Sequence, residues 1–343
     1  MSPVLRVGLI GYGYAGQTFH APLLACIPGV VLSRICTSKP ELVQRDWPGC
    51  AVDATPDQTL SHPDVDLIVI ATPNDTHAPL AAAALRAGKH VVVDKPFTLT
   101  VAEAEALVAL ANQQQRVLSV FHNRRWDADF LTLQQLLAAG VLGEVCHLES
   151  RFDRFRPQVR ERWRERAEQG GGLWYDLGPH LLDQAVCLFG MPKRLQAQLH
   201  TVRPGGSRDD WAHVLLDYGN RHVELRASML VGGGLPRFAV HGTKGSWIKF
   251  GLDVQEQQLQ QGMRPADPDW GLDPQPGELL PHGDEAQSLS LRGNYPAYYA
   301  AIRDCILLGT ANPVSAASAL AVMRLLERAR QSALEGCGLP VIH

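Results

Sequence analysis

The chain has 343 residues, 45% hydrophobic and 20% charged, with 32 Lys and Arg against 35 Asp and Glu for a formal charge of −3. That length holds one large or two ordinary domains with a sizeable core, and the apolar content excludes a disordered chain. The near-neutral balance offers no basic field for a phosphate backbone, which argues against nucleic acid as a partner.

Two long stretches lack Asp, Glu, Lys and Arg, Val7 to Ser33 and Cys305 to Met323, but glycine and proline interrupt both, so neither reads as a membrane span. The N-terminus has no basic region leading into an apolar core and a small-residue cleavage site, so a cytoplasmic enzyme is expected. Seven scattered cysteines without a CxxC argue against a disulfide framework or a structural zinc site.

From residue 4 to about 120, short β-rich runs alternate with Ala/Leu-rich helical segments, which predicts βαβ units and a parallel sheet. The strands fall at Val4 to Ile10, Val30 to Ile35, Leu67 to Ala71, Val91 to Val93 and Val117 to Val120, and the helices near Thr18 to Cys26, Pro79 to Ala87 and Val101 to Gln113. Thr100 and Glu103 have the spacing of a capping box at the start of the last helix. After Asn123 the rhythm changes. A helix from Phe130 to Ala139 and another from Leu173 to Phe189 accompany strands at Glu144 to Phe152, Leu195 to Val202, Trp211 to Tyr218, His222 to Met229, Arg237 to His241 and Ser246 to Phe250. Val223, Leu225, Ala227 and Met229 alternate with polar residues, the period of a strand with one buried face. Gln255 to Arg292 has little periodicity and reads as a long surface loop, and Leu320, Met323, Leu326, Ala329 and Ala333 mark one face of a last helix. The expected architecture is α/β: a Rossmann domain over residues 1–123, then an α/β domain with a large, mostly antiparallel sheet over 124–343, with a long loop near 255–292.

Gly11-Tyr12-Gly13-Tyr14-Ala15-Gly16 fits GxGxxG between an apolar run and a helical segment. Gly11 permits the tight turn, Gly13 lets the backbone approach a pyrophosphate, and Gly16 allows close helix–strand packing. An NAD site would carry an Asp or Glu about 20 residues further on. Here the second strand runs into Thr37, Ser38 and Lys39, with Glu41 the nearest later acid, a pattern that favours NADP over NAD.

Asp94-Lys95-Pro96 follows a buried strand, where ligands of doubly wound sheets bind, and a partly desolvated lysine there can exchange a proton with a hydroxyl or carbonyl. Asp176, His180 and Asp183 stand at i, i+4 and i+7 on one helix face, suited equally to capping a helix start or to acid–base work, with a metal triad a third reading. Pro179 places the start of that helix near itself.

Taken together, Gly11 to Gly16, Thr72-Pro73-Asn74 with His77, Ala87-Gly88-Lys89-His90, Asp94-Lys95-Pro96 and Gly172 to Asp183 resemble the glucose–fructose oxidoreductase/inositol dehydrogenase/MocA family over essentially the whole chain. Thr18 to Pro22, Phe121 to Asp127, Arg154 to Pro157 with Arg162-Trp163-Arg164, and Gly293-Asn294-Tyr295 are similar to its YdgJ-type branch, which includes NADP-dependent scyllo-inositol dehydrogenases. Asp94 departs from the family's usual Glu. The resemblance implies that Lys95 transfers the proton with Asp176 and His180 around the reacting hydroxyl, and that no metal is needed. It implies that Pro73, Asn74, His77 and Asp94 line the cofactor, that Asn123 and Arg124 lie near nicotinamide or substrate, and that Arg156, Trp163 and Tyr295 belong to the substrate pocket. His20, Arg151 and Arg160 stay open between packing and function. The implied reaction passes a hydride between nicotinamide and a secondary hydroxyl of a cyclic polyol or sugar, in a homo-oligomeric dimer or tetramer formed through the open sheet. An NAD-dependent glycosidase and a non-catalytic NADP-binding sensor are the alternatives.

Overall fold

The computed structural model describes residues 3–160, 165 and 170–341. They form two compact units: Met1–Trp126 with Gln255–Gly271 and Asn294–Leu320, and Asp127–Val254 with Leu272–Gly293 and Ala321–His343.

The first unit is built on a six-stranded parallel sheet of β1 (Leu5–Ile10), β2 (Val30–Cys36), β3 (Ala51–Asp53), β4 (Leu67–Ile70), β5 (His90–Val93) and β6 (Leu118–Val120). Its order, β3-β2-β1-β4-β5-β6, is that of a dinucleotide-binding doubly wound sheet, and the order reverses between β1 and β4. All of β4 and Val91 to Val93 of β5 are fully buried, which is why these strands read as unbroken apolar runs rather than alternations. The capping box forms as the spacing predicts: the Thr100 hydroxyl accepts from the Glu103 N–H, and the Glu103 carboxylate accepts from the Thr100 N–H.

The second unit carries nine strands: β7 (Val145–Asp153), β8 (Arg194–His200), β9 (Trp211–Asp217), β10 (His222–Ser228), β11 (Phe238–Gly242), β12 (Gly245–Lys249), β13 (Gly277–Pro281), β14 (Gln287–Leu289) and β15 (Leu339–Pro340). Their order is β14-β13-β12-β11-β7-β10-β9-β8-β15, antiparallel throughout except for β7 beside β10. Leu148, Phe152, Val214, Leu216, Val223 and Leu225 are buried on one face, while Glu149, Arg151, His213, Glu224 and Arg226 are half-buried on the other.

The structure departs from the sequence reading in several places. Residues 255–292 are not one loop: they contain the helix Gln255–Gln260 and strands β13 and β14. The helix carries no apolar period because a polar side chain anchors it. Gln255, fully buried, donates to the Trp126 carbonyl and accepts from the Tyr295 N–H. Three helices that no apolar period announces, Pro40–Asp46, Pro56–Leu60 and Pro296–Leu308, each open on proline, which suits the first helical position. The helix spans Leu173–Phe189, the range its apolar pattern marks, and carries Pro179 inside it rather than starting there. Its first turn is fixed from afar: the Asp209 carboxylate accepts from the Trp174 N–H at 2.7 Å, and the Asp209 carbonyl accepts from the Leu173 N–H. Among the described residues no helix is long and apolar enough to cross a membrane.

Candidate active site

Because every strand of the first sheet runs the same way, the loops after β1, β2, β4, β5 and β6 emerge at one edge. These loops carry Gly11 to Gly16, Thr37 to Lys39, Thr72 to Asn74, Asp94 with Lys95, and Asn123.

The three glycines of the first loop answer to different demands. Gly11 has φ +100°, and a Cβ there would lie 2.6 Å from the Ala71 carbonyl oxygen. A Cβ on Gly16 would lie 2.1 Å from the Gly11 carbonyl oxygen, so the helical turn Gly16–His20 can approach the strand only with glycine there. Gly13 is exposed, its φ is ordinary, and a Cβ would meet nothing within 4 Å. Neither backbone strain nor internal packing asks for glycine at 13, and the open space beside its backbone is a cradle that a Cβ would fill.

Tyr12 and Tyr14 point to different tasks. Tyr12 is buried; its hydroxyl donates to Asp46 at 2.9 Å and accepts from the Trp47 indole at 2.8 Å, tying the turn to the end of the Pro40–Asp46 helix. Tyr14 is exposed and donates to Glu256 at 2.7 Å. Glu256 also accepts from Arg124 at 2.7 Å, and Arg124 donates to the Tyr295 hydroxyl at 3.1 Å. Arg124 and Tyr295 are thus enclosed in a network with Glu256, a residue that no local motif marked. Ala15 is half-buried.

At the end of β2, Thr37 is half-buried, and Ser38 and Lys39 are exposed; the Thr37 hydroxyl accepts from the Lys39 N–H at 3.0 Å. The neighbouring acid, Asp53, is the register partner of Cys36, and it is buried, paired with Arg34 and bonded by the Thr59 hydroxyl at 2.7 Å. The Arg34 pairing outweighs burial and holds its carboxyl below the ordinary range.

After β4, Thr72 is half-buried and Pro73 exposed, while Asn74 opens the short helical turn Asn74–Thr76 and is buried. His77 is buried, with Nδ1 2.8 Å from the Pro96 carbonyl and Nε2 3.0 Å from the Thr72 carbonyl. It clamps the loops after β4 and β5 together. Asp94 and Lys95 are half-buried, and Asp94 Oδ1 accepts from the Lys95 N–H at 2.9 Å. Asn123 is buried at the end of β6.

In the second unit Asp176 lies in the first turn of the Leu173–Phe189 helix and takes Arg154 Nη1 at 3.4 Å. His180, one turn on, is buried with its ring stacked on Phe152 at 6.3 Å, and Asp183 is also buried. Arg154 and Arg156 continue β7 in extended pairing, their N–H groups donating to the carbonyls of Ser228 and Met229. The buried Arg203 holds this segment. It donates to the carbonyls of Arg156 and Gln158 and to the carboxylates of Asp210 and Glu165. Trp163 lies outside the described residues. No sequence motif marks Arg203, and Arg154 falls only within the Arg-rich run 154–164.

Residues 5–122 match an oxidoreductase family's NAD-binding Rossmann fold, and residues 134–341 match the same family's C-terminal alpha/beta domain. The chain belongs to this oxidoreductase family, GFO/IDH/MocA. Within it, the chain is 55% identical to the uncharacterized oxidoreductase YdgJ of Escherichia coli (strain K12), over 97% of each chain. It is 38% identical to the scyllo-inositol 2-dehydrogenase (NADP(+)) IolW of Bacillus subtilis (strain 168), over 96% of this chain and 94% of the relative. A solved Yersinia pestis structure, 50% identical, superposes with a TM-score of 0.96 over 100% of this chain and 99% of that one. The open cradle at Gly13, beneath a turn that only glycines can make, fits the dinucleotide that the GFO/IDH/MocA Rossmann domain binds.

Proposed function

We propose that the protein is an NADP(H)-dependent oxidoreductase that interconverts a secondary hydroxyl and a ketone on a cyclic polyol or sugar, with scyllo-inositol the favoured substrate. The observation that carries this reading is the near full-length similarity to a relative named as an NADP(+) scyllo-inositol 2-dehydrogenase. The loop after β2 supports the choice of cofactor. Thr37, Ser38 and Lys39 place two hydroxyls and an exposed ammonium there, and the nearby Asp53 charge is already taken by Arg34.

The bound nicotinamide supplies or accepts the hydride. The chain's residues do the rest. The backbone of Gly11 to Gly16 would hold the pyrophosphate, and Thr72, Pro73, Asn74, Asp94 and Asn123 would be further cofactor-binding residues. As the substrate carbon gives up its hydride, the Lys95 amine takes the hydroxyl proton and the C–O bond becomes a carbonyl; the reverse reaction returns both. Asp176 and His180 would act on the reacting hydroxyl, and Arg156 on the other substrate oxygens. Arg124, Tyr295 and His77 act indirectly by fixing these loops.

Absorbance of the reduced cofactor, followed with NADP or NAD against inositols, sugars and glycosides, tests the proposal. Reduction of NADP by scyllo-inositol is the expected result. Glycoside cleavage without net cofactor reduction, or a preference for NAD, overturns it.

A further inference from the structure

We propose that His20 is a positioning residue for the oxidoreductase reaction: Tyr299 locks its ring so that Nε2–H is aimed at Asp94, and the pair fixes the carboxylate that sets Lys95. The proposal rests on the proton-transfer role given to Lys95 above.

His20 closes the helical turn Gly16–His20 that follows the glycine loop, and it is fully buried. Its ring packs 4.5 Å from the Phe121 ring, between centroids, and edge-on to Tyr299 at 6.2 Å. An apolar ring would fill this space without the cost of burying two ring nitrogens, so packing alone does not account for histidine. Nδ1 lies 2.6 Å from the Tyr299 hydroxyl. Nε2 has no hydrogen-bond partner among the described residues and lies 3.8 Å from Asp94 Oδ1.

The hydroxyl decides the tautomer. Burial raises the Tyr299 pKa well above its usual value, so the phenol keeps its proton. Were Nδ1 the donor, the phenol proton would need another acceptor, and the Nε2 lone pair would face a carboxylate. With the phenol as donor, Nε2 carries the proton and presents a positive edge to Asp94. Asp94 is suited to receive it. Burial works to raise its pKa, but His20, the Lys95 charge and His77 outweigh that and leave it below the ordinary carboxylate range. At 3.8 Å the contact is a charge–dipole attraction, longer than a hydrogen bond, and of the kind that shortens once a ligand fills the site. The same Asp94 oxygen accepts the Lys95 N–H, so a carboxylate held by His20 fixes where the Lys95 side chain departs. His77 provides the contrast. Both its nitrogens face carbonyls of the chain, whereas the second nitrogen of His20 is turned to the acid beside the proposed proton carrier.

Nitrogen NMR on the full chain labelled with ¹⁵N-histidine, with His20 assigned by its loss in H20Q, reads the tautomer without any substrate. The Nε2–H form is expected, with its resonance moving in D94N; an Nδ1–H form, or a resonance indifferent to D94N, overturns the proposal. Turnover supplies the second arm. An Asn amide reaches only the Nδ1 place and a Gln amide the Nε2 place, so H20N should lower kcat about 10–100-fold with KM for cofactor nearly unchanged, and H20Q should recover most of it. H20N within about twofold of the native rate, or H20N and H20Q losing rate in step with Tm, overturns the proposal. If the native protein turns over no polyol or sugar, the substrate reading fails by itself, and the tautomer and its response to D94N decide the role of His20.

Discussion

In the six-stranded sheet the strands that carry the candidate loops end in buried residues, Ile10, Cys36, Ile70, Val93 and Val120, and the candidate residues stand on loops beyond the strand ends. In the nine-stranded sheet one face is only half-covered, and charges sit on the strands themselves. Register puts Glu224 beside Glu149 and Arg226 beside Arg151 on the parallel pair β7 and β10. Each glutamate is paired with the arginine two residues along its own strand, which offsets the like-charge neighbours across the ladder. Burial resists, but these partners hold both carboxyls below the ordinary range. Parallel strands that all end at one edge therefore gather the candidate residues in short contiguous motifs. A sheet open on one face spreads its polar residues over distant parts of the chain.

The sharpest way to break this contrast is to act on one loop of the first sheet. K95A is expected to lower turnover by about 10³-fold while cofactor still binds, read by reduced-cofactor absorbance and a fluorescence titration. Retained turnover would remove the chemistry from the strand ends. The glycine loop gives the next largest effect. G13V should weaken cofactor binding about 30-fold, roughly 2 kcal/mol, with Tm nearly unchanged, because a Cβ at this position enters the cradle and meets no protein atom within 4 Å. G16A should do the opposite and lower Tm first, since its Cβ collides with the Gly11 carbonyl.

Much of the first sheet was legible for the same reason. Continuous apolar runs, GxGxxG and Asp94-Lys95 are local signals, and the strands at Leu5–Ile10, Val30–Cys36 and Leu67–Ile70 lie within a residue of where the sequence puts them. Short elements escaped: β3 has three residues, and Pro56–Leu60 announces itself only through its proline and a capping box. The second unit's strands were readable from their alternation. Its site supports were not, because Asp209 and Arg203 act on residues 35 and 47 positions away through hydrogen bonds that leave no period in the sequence. Glu256, which ties Tyr14 to Arg124, lies 132 positions from that arginine and is equally silent.

The helix start at Leu173 tests whether those remote anchors matter. D209A removes the carboxylate that accepts the Trp174 N–H, and should cost about 1 kcal/mol and lower Tm by about 2–4 °C. Because Asp176 sits in that same first turn, kcat should fall too, by less than in K95A, with cofactor affinity kept. An unchanged Tm would mean that the Asp209 backbone carbonyl, which takes the Leu173 N–H, suffices to start the helix.

The smallest effect comes from Asp46, which binds the glycine loop from below. Arg45 and, after it, Gln17 and Tyr12 lower its carboxyl pKa to about 2, against the opposing pull of burial. A carboxyl that releases its proton more readily when folded contributes stability above its unfolded pKa, near 4, and loses that contribution as pH falls through about 2. Arg45 is largely solvent-exposed, so the contribution stays under about 1 kcal/mol. Urea unfolding of the native protein and D46N should therefore show a constant gap above pH 5 that closes between pH 4 and 2. A gap that persists to pH 2 would assign the tie to hydrogen bonds that a neutral acid also makes, and would separate the Tyr12 and Gln17 contacts from the Arg45 charge.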